Sequence, residues 1–239
     1  MTTKQTKKQD ITKESIQQET AERLTRIDRE FADGFETVNR LGKSVTIFGS
    51  ARFDENNTYY KLARELSAKL ADAGYTTVTG GGGGIMEAGN RGAFEAGGET
   101  AGFNIALPHE QVLNPYTTTS MPFKYFFARK VILAYGAEAY VALPGGFGTL
   151  DELFEIITLI QTNKMPKAPV ILMGSDFWRP LDEFIRSRML NGAETISSGD
   201  EEIYTITDSV DVALDAIQQH REMLGCSLDD PSRCVVADA

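Results

Sequence analysis

The stretch AYVALPGGFGTLDELFEIITLIQTNK, Ala139–Lys164, changes its period partway along. Its first residues form a short apolar run suited to a buried strand, and its second half spaces apolar residues as the face of a helix does. Between them lies Pro144-Gly145-Gly146-Phe147-Gly148-Thr149, a turn dense in glycine. The same order recurs along the chain. SVTIFGSAR, Ser44–Arg52, is a buried-strand run ending in Gly49-Ser50, and NTYYKLARELSAKLADAG follows as a helix with Gly74 at its C-terminal cap. YTTVT enters five successive glycines, Gly80–Gly84, before the helical IMEAGNRGAFEAGG; TAGFNIAL is a third strand. Pro108 to Tyr125 reads as irregular, FFARKVILAYGA as helix, APVILMG as a fifth strand, and YTITDSVDVALDAIQQHREML as a short last strand and a final helix.

Strand, glycine turn and helix in repeated succession predict an α/β fold: a Rossmann-like, doubly wound parallel sheet in a three-layer α/β/α single domain. Fully apolar strands such as Val170–Met173 agree, because strands covered on both faces need not alternate. Residues 1–20 are polar and are expected to be disordered or a frayed helix. Residues 21–41 carry Leu24, Ile27, Phe31, Phe35 and Val38 on one helical face; 42–224 are expected to form the Rossmann-like domain, and 225–239 a tail.

Bulk composition narrows the function. The 239 residues carry a formal net charge of −10, so no general basic field for nucleic acid or an anionic membrane is expected. No apolar run approaches the ~20 residues of a membrane span, and the N-terminus lacks the apolar core of a secretory signal. The expected location is cytoplasmic. Cys226 and Cys234 are not at metal-ligand spacing with His109 or His220, and neither a metal nor a cofactor is expected.

In a doubly wound sheet, ligands bind beyond the carboxyl ends of the strands. That gathers four turns: Gly49–Arg52, Gly80–Gly84, Asn104–His109 and Pro144–Thr149. A glycine turn opening a helix presents free N–H groups and the positive end of the helix dipole to an anion such as a 5′-phosphate. The turn at Gly145, Gly146 and Gly148 is equally consistent with a tight connection, Thr149 being the N-cap and Asp151 and Glu152 first-turn acids. Five glycines in a row point to close approach by a ligand or by another stretch of backbone. The pattern fits neither a dinucleotide fingerprint nor a Gly-x-x-x-x-Gly-Lys-Ser/Thr loop.

GGGGGIMEAGNRGA (Gly80–Ala93), FFARK (Phe126–Lys130) and PGGFGTLDE (Pro144–Glu152) together resemble the LOG (Lonely Guy) family of cytokinin riboside 5′-monophosphate phosphoribohydrolases, long labelled possible lysine decarboxylases. The family motif Pro-Gly-Gly-x-Gly-Thr-x-x-Glu is matched at every fixed position, and the resemblance spans about Lys43 to Leu190. It implies hydrolysis of the N-glycosidic bond of a purine-type nucleoside 5′-monophosphate to free base and ribose 5-phosphate. Carried over by position, Arg129 and Glu152 would be catalytic. Gly145, Gly146, Gly148 and Thr149 would bind phosphate; Gly81, Gly82, Gly83, Ser50, Lys130 and Glu87 are further substrate-binding candidates. The family also implies a homodimer or higher homo-oligomer. The sequence departs from the family pattern at Gly84-Ile85-Met86-Glu87, at Asp151, and at Phe126-Phe127-Ala128 in the region of the base pocket. Decarboxylation would need a Schiff-base lysine and a partner for a pyridinium nitrogen, and neither is identifiable. Two other readings stay open: a carrier of a nucleotide or cofactor on the same fold, and an interaction protein working through its N-terminal helix.

Overall fold

The computed structural model describes residues 13–106 and 112–223. His109, Cys226 and Cys234 lie outside them. Seven parallel strands make one sheet: β1 (Ser44–Phe48), β2 (Thr76–Thr79), β3 (Thr100–Ile105), β4 (Thr119–Phe123), β5 (Ala139–Ala142), β6 (Val170–Met173) and β7 (Tyr204–Thr207), in the spatial order β4-β3-β2-β1-β5-β6-β7. The chain winds outward from β1 to one edge, then returns to the centre and winds to the other. The reversal falls between β1 and β5, which pair from Val45 with Ala139 to Phe48 with Ala142.

Among the described residues seven α-helices flank the sheet: α1 (Lys13–Val38), α2 (Thr58–Asp72), α3 (Ile85–Glu95), α4 (Phe126–Tyr135), α5 (Phe147–Gln161), α6 (Ser175–Phe184, continued by a π-helical segment, Ile185–Leu190) and α7 (Val210–Met223). Side chains alternate along each strand, so one face takes Val45, Ile47, Val141 and Ile171 against α2, α3 and α7. The other takes Phe48, Tyr140, Ala142, Val170 and Leu172 against α4, α5 and α6, with α1 outside α4. Burying an Ile or Leu fully in such a layer stabilises by about 1.5–3 kcal/mol. Trp178 fills this second layer, wholly buried, its indole N–H donating to the Met173 carbonyl at 3.1 Å.

Two expectations need correction. The region Pro108–Tyr125 is not irregular throughout: it contains β4, paired with β3 from Ala101–Thr119 to Ile105–Phe123. Pro122 hides this strand from the sequence, since proline lacks the N–H of a ladder residue; at the sheet edge that donor is not needed. Helix α5 starts at Phe147, with Gly146 as N-cap. Thr149 is therefore inside the first turn rather than its cap, and Asp151 and Glu152 fall in the second turn. The first helix begins at Lys13, within the stretch 1–20 expected to be either disordered or a frayed helix, and this start does not count against the second alternative. None of the described helices is long and apolar enough to cross a membrane.

Candidate active site

The strand order reverses between β1 and β5, and it is beyond the carboxyl ends of such a pair that doubly wound sheets bind ligands; Ser50 joins the turns there. Its N–H donates to the Pro144 carbonyl at 3.1 Å, and its own carbonyl accepts from Ile85 N–H at 2.9 Å. The β1 turn is thereby tied to the α5 turn on one side and to the glycine run on the other.

The two glycine-rich segments differ in what surrounds them. At Gly84, φ is +66°, and a Cβ there would overlap the Ser50 carbonyl oxygen and the Ala51 backbone. At Gly80 a Cβ would fall on Nη2 of Arg129. The run is thus mainly a surface for protein to pack on. A buried polar network pins it: Gly81 N–H donates to Thr79 Oγ1 (3.0 Å), Thr79 Oγ1 to Asn90 Oδ1 (2.6 Å), and Asn114 Nδ2 to both Asn90 Oδ1 (2.9 Å) and the Gly82 carbonyl (3.0 Å). Gly83 is less enclosed, with the Ala51 carbonyl oxygen at 3.8 Å from its would-be Cβ.

At the start of α5 the surroundings are open. Nothing lies within 4 Å of a Cβ built on Gly146 or Gly148, while Gly145 leaves the space that Thr149, itself buried, fills. Phe147 between them is 93% exposed. The first intrahelical bond runs from Leu150 N–H to the Gly146 carbonyl, and the N–H groups of the preceding turn have no partner within the helix. Here a ligand can reach main-chain donors without meeting a side chain.

Arg129 and Glu152 meet beside this turn. Arg129, on α4, is 6% exposed; its Nε donates to the Phe103 carbonyl at 2.7 Å, and its Nη1 lies 3.4 Å from Glu152 Oε1. That separation is long for a hydrogen bond, so the link is chiefly electrostatic. Burial pushes the Glu152 carboxyl up to about 7, against the downward pull of Arg129 and Lys130; Asp151 and Glu155 add to the rise. Burial likewise lowers the Arg129 guanidinium, opposed by Glu152. Desolvation therefore outweighs mutual attraction for both partners. A carboxyl that gains and loses its proton near neutral pH is suited to proton transfer.

Other candidates are drawn elsewhere. Lys130 contacts Asp151 and Glu155, each at 3.0 Å; burial lowers its pKa, but the bonds from Glu155 and Asp151 outweigh that and raise it. Asp151, in the second turn of α5, pairs with Lys130, and Lys130 is a salt-bridged cation rather than the uncharged amine a Schiff base needs. Glu87, in the first turn of α3, accepts from the hydroxyl of buried Tyr60 at 3.0 Å. Sequence reasoning missed Gly80 as the seat of Arg129, and it missed Asn90 and Asn114. Asn114 sits in a stretch without periodicity and had no local signal to show it.

Residues 86–217 match the protein family described as possible lysine decarboxylase. Among curated proteins, the chain is 29% identical over 158 residues to a cytokinin riboside 5′-monophosphate phosphoribohydrolase of Rhodococcoides fascians, covering 63% of this chain and 77% of that one. It is 33% identical over 165 residues to the cytokinin riboside 5′-monophosphate phosphoribohydrolase LOG of Oryza sativa subsp. japonica, covering 66% and 65%. Among solved structures, the molybdenum cofactor carrier protein of Chlamydomonas reinhardtii superposes with a TM-score of 0.58 at 26% identity, over 76% of this chain and 99% of that one. The molybdenum cofactor binding protein of Rippkaea orientalis, at 22% identity and a TM-score of 0.56 over 74% and 96% of the two chains, shares the fold. The family match covers more than half the chain and includes both Arg129 and Glu152; this protein belongs to the LOG family, the one described as possible lysine decarboxylase.

Proposed function

We propose that the protein hydrolyses the N-glycosidic bond of a purine-type nucleoside 5′-monophosphate, releasing the free base and ribose 5-phosphate. The observation that carries this reading is the buried Arg129–Glu152 pair lying beside an open helix start. The phosphate sits on the N–H groups of Gly146 to Thr149, favoured by the dipole of α5. Glu152 follows Thr149 by three positions on one helical face, which sets its carboxyl beside the ribose when the phosphate is so held. As the bond from C1′ to the base nitrogen breaks, its electron pair leaves with the base and positive charge grows on the sugar. Glu152 stabilises that charge and takes a proton from the water whose oxygen bonds to C1′; the departing base takes up a proton from solvent and Glu152 returns its own, so that one water is consumed. Arg129 offers positive charge to the leaving side in a site where donors need not reorient. The similarity to phosphoribohydrolases at 29% and 33% identity supports this chemistry.

A carrier reading draws support from the similarity to the molybdenum cofactor carrier protein. A carrier has no need of a carboxyl that titrates near 7. Incubation with AMP and with N6-isopentenyl-AMP, followed by chromatography for free base, separates the two. Base release that falls by about 10²-fold or more in Glu152→Gln and in Arg129→Ala is expected. Equal release from wild type and both variants would sink the assignment, and binding of nucleotide without release would favour the carrier.

A further inference from the structure

We propose that Glu30, on α1 and so outside the matched residues, is a positioning residue that seats the Arg129-bearing turn of α4 against Glu152. The cap residue of α4, Tyr125, makes no side-chain cap, so the orphan donors at this helix start need an acceptor from elsewhere. Glu30 supplies it from 94 residues away in sequence: one carboxylate oxygen accepts from Lys124 N–H at 2.9 Å and the other from Tyr125 N–H at 3.3 Å. Arg129 N–H in turn donates to the Tyr125 carbonyl at 3.1 Å. The residue that Glu30 holds is therefore bonded directly to the backbone of Arg129, and a carboxylate there also complements the dipole of α4.

The docking of α1 makes this contact a fixed one. Gly34 lets α1 approach α4 so closely that a Cβ there would come within 2.6 Å of Ile132 Cγ1. Phe31 lies 6.3 Å from the Phe127 ring, Phe35 packs edge-on to Tyr135 at 4.8 Å, and Arg23 lies 5.6 Å from the centre of the Tyr125 ring. The 3.4 Å separation of Arg129 and Glu152 leaves little slack: a shift of α4 by a fraction of an ångström weakens the attraction that opposes Glu152's desolvation. The N-terminal helix is thus part of the reacting centre's support, a role that rests on the reading of Arg129 and Glu152 as that centre.

The test follows the Glu152 carboxyl directly. Full-length protein labelled with 13C-glutamate is titrated by NMR, the Glu152 signal being the one absent from Glu152→Gln. Four charged neighbours act on it, Arg129, Lys130, Asp151 and Glu155, and none is altered in the variants. Glu30→Ala and the shortened Glu30→Asp are expected to raise the Glu152 midpoint by a few tenths of a unit, since a small retreat of Arg129 removes only part of the roughly one to three units that a close opposite charge contributes. Glu30→Gln, whose amide oxygen keeps one of the two acceptors while its NH2 faces the other N–H, is expected to raise it by less than Glu30→Ala. Simple removal of the Glu30 charge would instead lower the midpoint in both Ala and Gln variants. An unmoved or lowered midpoint in Glu30→Ala, or in Glu30→Asp if the Ala variant does not fold, overturns the proposal. In parallel, kcat for base release is expected to fall ~10-fold in Glu30→Ala with little change in KM. Absence of base release from the wild type would count against the hydrolase alone, since the titration still decides the role of Glu30.

Discussion

The two glycine-rich segments look alike in sequence and do opposite things. From Gly80 to Gly84 the glycines let protein press on protein: Arg129 lies on Gly80, and the Ser50–Ala51 backbone lies on Gly84. From Gly145 to Gly148 two of the three open onto empty space at a helix start. Glycine is permissive in both senses, for φ and for close approach, and its presence alone does not say which partner approaches. One segment seats Arg129, and the other leaves the main-chain donors of a helix start uncovered.

The contrast can be broken by adding single methyl groups. At Gly84 the methyl would meet backbone, which cannot swing away, at a positive φ. Gly84→Ala is expected to destabilise by about 3 kcal/mol or more, measured as a lowered urea midpoint or a failure to fold. A variant as stable as wild type would show that the packed description of this segment is wrong.

The next effect concerns the cost of the site that these packed residues hold. The Glu152 carboxyl is raised by burial to about 7 from a usual 4.5, so the folded protein binds this proton more tightly than the unfolded chain does. The sign follows: the associated stability is fully present below pH ~4.5 and is lost as pH rises through about 7. Glu152→Gln removes that loss. The variant is expected to match wild type near pH 4.5 and to exceed it above pH 7 by on the order of 3 kcal/mol, read from unfolding curves at the two pH values. A constant difference across that range would contradict the buried, titrating carboxyl.

At Gly80 the methyl would meet the far ends of two flexible side chains, Arg129 and Met86. Gly80→Ala is therefore expected to fold, with a smaller loss of stability than Gly84→Ala, while displacing Arg129 and lowering kcat ~100-fold. Activity that survives would detach Gly80 from the chemistry. The smallest change is expected at the open turn. Gly148→Ala meets no atom and improves helix propensity by up to about 1 kcal/mol, so the melting temperature should hold or rise while KM for a nucleotide increases ~10-fold. An unchanged KM would mean that the phosphate does not use this turn.

Much of the fold was legible because its signals are local. The apolar runs at Val45–Phe48 and Val170–Met173, the helical spacing after Thr149 and the glycines between them are consequences of backbone geometry within a few residues. β4 was not legible, since Pro122 mimics a loop unless the strand is known to lie at an edge. Arg129 and Glu152 could be singled out through the motif resemblance, but their meeting could not: 23 residues separate them, and β5 lies between α4 and α5. Lys130 illustrates the limit from the other side. Its place beside Arg129 in FFARK suggested a shared site, whereas adjacent helical residues point in different directions and Lys130 turns to Asp151 and Glu155.

By itself the sequence determined the order of strands and helices, the class of sheet they form and the residues that mark the family, because periodicity, turns and motifs are written in neighbouring positions. Only the tertiary structure decided which glycines are packed and which are open, where Glu152 finds its counter-charge, and that a carboxylate on α1 caps α4. Those properties are distances between segments far apart in the chain, and they exist only once the sheet has brought its carboxyl ends together.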